Sequence, residues 1–364
     1  MTDEKSDFIF RAVSTYSPSG QESGFAKAIM EYFQSKHLSP RLDSVGNVLC
    51  EFGSGNKTVL LCGHMDTVPG VLPVRMENGR VFGRGACDAK GPLISLLFAF
   101  DNLASELQGQ SVGRIVFAGV TEEERSSSGL AEIIRSNLKA DYAFFGEPGG
   151  LSRITVGYRG HLTLRLTIIT PEIHASAPKF VINSAELLYD VYSTLKKVLV
   201  VTETGSLEQF SVALTEISSG TAHNVIPGKT SATIDIRVPI GSQTSQARTA
   251  VESVISDFGL RLPSAQISAA FDEPTEPYRV PLNSPLVRAL SRSILRKGSK
   301  PQFITKSGTG DMNTYAQTFG VDSVTYGPGE AVLSHSSEEN VSVEEILSCA
   351  DILTNSIMEL MLRN

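Results

Sequence analysis

The first long apolar run of this chain, Thr58-Val59-Leu60-Leu61-Cys62, stops at Gly63-His64-Met65-Asp66. An imidazole nitrogen is a good ligand for a divalent metal, and a carboxylate on the far ring nitrogen can fix its tautomer and orientation. One His-x-Asp is weak evidence, but the pattern recurs. Asp88 stands in Gly83-Arg84-Gly85-Ala86-Cys87-Asp88-Ala89-Lys90-Gly91, just before a strongly apolar stretch. Glu122-Glu123-Glu124 follow the run Ile115–Val120 almost directly. Glu147 follows Tyr142-Ala143-Phe144-Phe145, and His335 lies beyond Val324–Gly329. Two histidines and three carboxylates make a mixed nitrogen and oxygen set that suits zinc and also manganese or cobalt. A carboxylate shared by two such sites can bridge ions roughly 3.5–4 Å apart. Singly, each acid reads better as a helix cap or a solvated loop residue. Five such segments beside apolar runs point to metal chemistry.

The elements that must position these groups alternate between strand and helix. Val59–Leu61, Arg114–Val120 and Tyr142–Phe145 read as strands buried on both faces. Gln21–Lys36 and Pro92–Ala104 carry apolar residues at helical spacing. Such alternation implies a mainly parallel sheet, and ligands bind at the carboxyl ends of its strands. The character changes near Gly157. His161–Thr167 and Thr230–Val238 alternate with period two, and helices are expected at Ser184–Val198 and Gln243–Phe258. This β-α-β-β-α-β order over residues 158–272 describes an inserted α+β, ferredoxin-like domain. It splits a first domain into residues 1–157 and 273–364. A helix at Ser284–Lys297, a Gly-rich stretch and a final helix follow. Ser342-Val343-Glu344-Glu345 forms a capping-box sequence ahead of that last helix.

Composition narrows the function classes. The 364 residues suit about two domains, and 41% hydrophobic content can build substantial cores. A net charge of −7, from 39 acidic and 32 basic residues, argues against a dedicated nucleic-acid binder. Cys50, Cys62, Cys87 and Cys349 include no C-x-x-C pair and read as free thiols of a reducing cytosol. The polar start Met1-Thr2-Asp3-Glu4-Lys5 lacks a signal-peptide core, and no apolar stretch reaches membrane-spanning length. A cytoplasmic protein is expected, with no membrane or nucleic-acid partner.

Gly63–Pro69, Gly83–Gly91, Glu122-Glu123-Glu124 and Gly146-Glu147-Pro148 resemble the co-catalytic zinc aminoacylase and carboxypeptidase family. That family includes acetylornithine deacetylase, succinyl-diaminopimelate desuccinylase and glutamate carboxypeptidase. The resemblance covers nearly the whole chain and implies a zinc-peptidase-like catalytic domain carrying an inserted lid and dimerisation domain. It implies two divalent ions, zinc or else cobalt or manganese. His64, Asp88 and Glu147 would hold one, and Asp88, Glu124 and His335 the other. Asp66 would orient His64. Glu123 would be the general base, although the third glutamate leaves Glu122 open by one step of register. His174, in Glu172-Ile173-His174-Ala175-Ser176, matches the oxyanion donor that the family takes from a partner subunit, which implies a homodimer. Asn224 and Arg237 match positions that hold the substrate carboxylate. His37 and His161 have no motif support.

Within the family, Thr305–Asn313 and Tyr326-Gly327-Pro328-Gly329 most resemble the branch that frees lysine or ornithine from the terminal γ-glutamyl group of an acidic amino-group carrier protein. Gly308 and Thr309 would then touch substrate. Glu330, in the loop ahead of His335, could select a lysine ε-ammonium. Two other readings stay open. The chain could remove an acetyl or succinyl group from ornithine, lysine or diaminopimelate, or it could be a catalytically silent relative that only binds.

Overall fold

The computed structural model describes residues 2–108, 113–177, 181–200 and 207–362. The chain divides into two compact units. The first comprises Met1–Val156, Val280–Ile304 and Gly310–Asn364; the second comprises Gly157–Arg279 and Thr305–Thr309.

The first unit is built on a mixed sheet. Four neighbouring strands, Gly113–Val120, Thr58–His64, Tyr142–Phe145 and Asp322–Thr325, run parallel. Val48–Ser54 adds antiparallel on one side, and Arg153–Tyr158 pairs antiparallel with Asp322–Thr325 on the other. The expected parallel sheet is therefore the centre of a larger mixed one. Its apolar runs reflect burial: Leu60 and Leu61 have no exposed surface, each burial contributing about 1.5–3 kcal/mol. Helix Gly91–Glu106 packs against this sheet. A Cβ on Gly146 would stand 2.8 Å from Leu96 Cδ1, so glycine there admits the helix. The aromatic rings of Phe33, Phe100 and Phe117 close the layer between helices and sheet. The last helix, Val343–Leu362, buries Ile346, Cys349, Leu353 and Ile357, and Ser342 Oγ accepts the Glu345 N–H at 3.3 Å.

The Gly-rich stretch ahead of the final helix is structured. It contains strand Gln302–Lys306, helix Asp311–Phe319 and strand Asp322–Thr325. Its glycines mark boundaries: Gly310 is the N-cap and Gly320, with φ 64°, the C-cap of that helix. Helix Thr2–Ser14 and the Arg75–Glu77 and Arg80–Phe82 hairpin also had no clear sequence signal.

In the second unit four antiparallel strands lie in the order Ser211–Ser219, Lys229–Val238, Gly160–Ile169, Gln266–Phe271. Leu162, Leu164, Leu166 and Ile168 alternate inward and meet Val191, Leu195, Val251 and Phe258 of helices Ser184–Leu199 and Thr244–Arg261. All four cysteines are free and buried. Among the described residues, no helix is long and apolar enough to cross a membrane.

Candidate metal centre

The four parallel strands all end on one edge of the first unit's sheet, and their C-terminal extensions carry the acidic and histidine residues. His64 is the last residue of Thr58–His64 and is almost fully buried. Its Nδ1 faces two acceptors, the Asp66 carbonyl oxygen at 2.9 Å and Asp66 Oδ1 at 3.3 Å. The ring proton therefore belongs on Nδ1, which leaves the Nε2 lone pair for a ligand. Nε2 points at Asp88 Oδ1, 3.4 Å away, and Glu147 Oε1, 3.9 Å away.

Asp88 turns its two carboxylate oxygens toward different histidines. Oδ1 faces His64, and Oδ2 lies 3.5 Å from His335 Nε2. His335 also meets Glu124 Oε1 at 2.8 Å. Ligand atoms of His64, Asp88 and Glu124 all lie within 4.8 Å of one another, a group that could hold a metal ion. The turn that delivers Asp88 is specialised. Gly85 has φ 83°, and a Cβ there would stand 2.6 Å from Thr67 Cγ2, so only glycine fits. The Asp88–Ala89 peptide is cis.

Burial and crowded carboxylates dominate the electrostatics of the centre. Burial pushes the Glu123 carboxyl well above the usual range; His64 opposes this, while Asp311, Glu147 and Glu124 add to it. Burial likewise raises Glu124, and it raises Asp311 to about 7. Burial pulls the His64 imidazole down, but Asp66 and Asp88 outweigh it and hold the ring well above its ordinary value. Burial also opposes ionisation of Asp88, yet His64, Ser334 and His335 bring its carboxyl to about 2. Carboxylates crowded around two imidazoles, one with its Nε2 aimed inward, fit divalent cations in donor type and charge.

Glu122 and Glu123 separate by geometry. The Glu122 carboxylate accepts the hydroxyls of Ser126 and Ser128, so it braces the following turn. The Glu123 carboxyl is acted on by His64, Glu147 and Glu124. Three residues missed in the sequence support the centre. Ser19 donates to Asp66 Oδ2 at 2.6 Å. Glu22 Oε1 accepts the Glu122 N–H at 3.0 Å. Glu339 accepts the N–H groups of Cys87 and Asp88. Glu339 sits in the polar run Ser336-Ser337-Glu338-Glu339-Asn340, which reads as solvated, and only the fold reveals its burial.

Glu330 lies in the first unit but is engaged: Arg153 Nη1 meets its Oε2 at 2.8 Å. In the second unit, His174 and Asn224 come together on an exposed two-stranded ribbon. Ile173–His174 pairs with Val225–Ile226, and Ala175 N–H donates to the Asn224 carbonyl at 2.8 Å. His174 Nδ1 meets Ser176 Oγ at 2.9 Å. Arg237 forms a two-pronged contact with Asp235, at 2.9 and 3.0 Å, and His161 Nε2 lies 3.0 Å from the same carboxylate. Gly308 and Thr309 belong to the return segment of this second unit.

The profile of Peptidase family M20/M25/M40 matches residues 60–359, and the chain belongs to that family. It is an enzyme related to a particular group of hydrolases. The LysW-lysine/LysW-ornithine hydrolase of Sulfurisphaera tokodaii is 32% identical to it, over 98% of this chain and 96% of its own. A Pyrococcus furiosus protein that carries the same name provisionally is 34% identical, over 99% and 98%. In fold, the chain resembles the M20 family metallo-carboxypeptidase Sso-CP2 of Sulfolobus solfataricus, with a TM-score of 0.81 and 21% identity over 99% of this chain and 100% of the other.

Proposed function

We propose that this chain is a two-metal amide hydrolase that releases lysine or ornithine from the terminal γ-glutamyl group of an amino-group carrier protein. The observation that carries the chemistry is the Asp88 carboxylate turned between His64 and His335. Full-length similarity to hydrolases named for LysW-lysine and LysW-ornithine supports the substrate. His64, Asp88 and Glu147 would hold one ion, and Asp88, Glu124 and His335 the other. The mixed ligands favour zinc, with cobalt or manganese as substitutes. Bound there, such ions would supply a polarised amide carbonyl and a more acidic water.

The chain's own groups do the remaining work. Glu123 takes the proton from the attacking water and returns it to the leaving amine nitrogen, so the amine departs neutral and the carboxyl group is freed. Its backbone N–H is fixed on Asp66, which holds the base in one place. His174 would donate to the oxyanion, supplied across a homodimer formed through the second unit. Asn224 and Arg237 would hold the substrate carboxylate, with Arg237 sharing its fork with Asp235. Gly308 and Thr309 would line the substrate channel. For Glu330 to select an ammonium, its pair with Arg153 would have to open. In this reading residues 1–157 and 273–364 form the catalytic domain, residues 158–272 the lid, and the enzyme works in the cytoplasm.

The test is hydrolysis of a lysine-loaded carrier by the zinc-loaded protein, with released lysine quantified. Release that stops on chelation and returns with zinc or cobalt supports the proposal. No release of any amine by the metal-loaded protein favours the silent-relative reading.

A further inference from the structure

We infer that the buried Arg84–Glu339 ion pair is a positioning device for the half of the centre built on Asp88 and His335. The inference rests on the two-ion reading above. Glu339 lies four residues beyond His335, and its side chain has no exposed surface. Its Oε1 accepts two backbone N–H groups, from Cys87 at 3.1 Å and Asp88 at 2.9 Å. Its Oε2 accepts Arg84 Nη1 at 2.8 Å. Its main-chain oxygen accepts the Gly83 N–H at 3.1 Å. One residue therefore holds four positions of the turn Gly83–Asp88.

Arg84 extends the linkage to the other loop. Its Nη1 also donates to the carbonyl oxygen of Ser336, next to His335, at 3.3 Å, and its Nε donates to the Gly70 carbonyl at 3.3 Å. The pair thus ties the turn bearing Asp88 to the loop bearing His335. Those two residues must keep a fixed spacing, because Asp88 Oδ2 and His335 Nε2 face each other at 3.5 Å. His64 and Glu124 have a separate anchor, the carboxylate and carbonyl of Asp66. The centre is held from two sides by two buried carboxylates. A buried ion pair is tolerated when geometry and added hydrogen bonds offset its desolvation, and here they do so around metal-ligand backbone.

A fold-stabilising pair and a positioning pair differ in what their loss removes. The experiment dialyses the zinc-loaded full-length protein against buffers of graded free zinc. Retained metal and the thermal midpoint are then measured for wild type, Glu339→Gln and Arg84→Lys. Wild type should retain two equivalents. Both variants should hold one or both equivalents about 10–100-fold less tightly, with the midpoint at matched metal content unchanged. Arg84→Lys keeps the charge but loses the fork, so it reads the same role if Glu339→Gln does not fold. Variants that keep both equivalents as wild type does, or that lose both in parallel with a lowered midpoint, overturn the inference. A wild type that never takes up more than one equivalent overturns the two-ion reading itself.

Discussion

Asp66 Oδ1 accepts the backbone N–H of Glu123 at 3.0 Å, so the residue expected to orient His64 also fixes the loop that carries the proposed base. Asp66 Oδ2 accepts the neighbouring Glu124 N–H at 3.1 Å. His64 meanwhile finds its nearer acceptor in the Asp66 main-chain carbonyl, at 2.9 Å. The side chain and the backbone of one residue thus divide the work.

That division predicts the outcome of Asp66→Ala. The carbonyl remains to orient His64, while the Glu123–Glu124 loop loses two acceptors. Zinc affinity should fall by only about tenfold, and kcat per bound zinc by about 100-fold or more as the base loses its position. Zinc titration beside steady-state kinetics checks the split. Full metal loss with unchanged turnover per bound zinc contradicts it.

Glu123→Gln should retain zinc uptake and lose roughly 10²–10⁴-fold in kcat, the usual contribution of a general base. Glu122→Gln should leave turnover within a few-fold, because its carboxylate faces Ser126 and Ser128. The reverse ranking would shift the base by one residue.

The second unit contains a group whose ionisation supports folding. Burial pushes the Asp235 carboxyl up, and His161 and Arg237 more than reverse this, bringing it to about 2 from an ordinary 3.8. A carboxyl lowered by folding contributes stability that is present above its unfolded value and lost as pH falls through its folded value. Asp235→Asn should therefore cost up to about 1 kcal/mol at pH 6, a figure discounted for partial exposure. The gap from wild type should close between pH 3.8 and 2. Urea midpoints across that range decide it, and a gap that stays constant would show that the charge contributes nothing.

The ligand segments were legible because parallel strands end together: the runs before His64, Glu124 and Glu147 are neighbours in one sheet. Other features were hidden for physical reasons. No helix was expected in the Gly-rich stretch, yet Gly310 and Gly320 cap one. Arg237 was matched to a substrate carboxylate, and its contact with Asp235, two residues away on the same strand face, was not foreseen. Glu330 read as available until the fold brought Arg153 to it. Glu339 is a long-range partner of Asp88, and no local pattern encodes that contact.

Arg153→Ala tests how Glu330 is used. Freed of its partner, the Glu330 carboxylate should lower KM for a lysine substrate relative to one with a neutral side chain, by about two- to fivefold at a half-exposed site. Glu330→Gln should cancel that preference. Equal KM values for the two substrates in all three proteins would remove Glu330 from specificity.

The most direct test of the account compares kcat/KM of the zinc-loaded enzyme for lysine-loaded carrier protein, acetyl-lysine and acetyl-ornithine. The account predicts that the carrier-linked substrate is preferred and that chelation abolishes all three activities. A preference for either acetyl substrate, or hydrolysis that survives complete removal of metal, would contradict it.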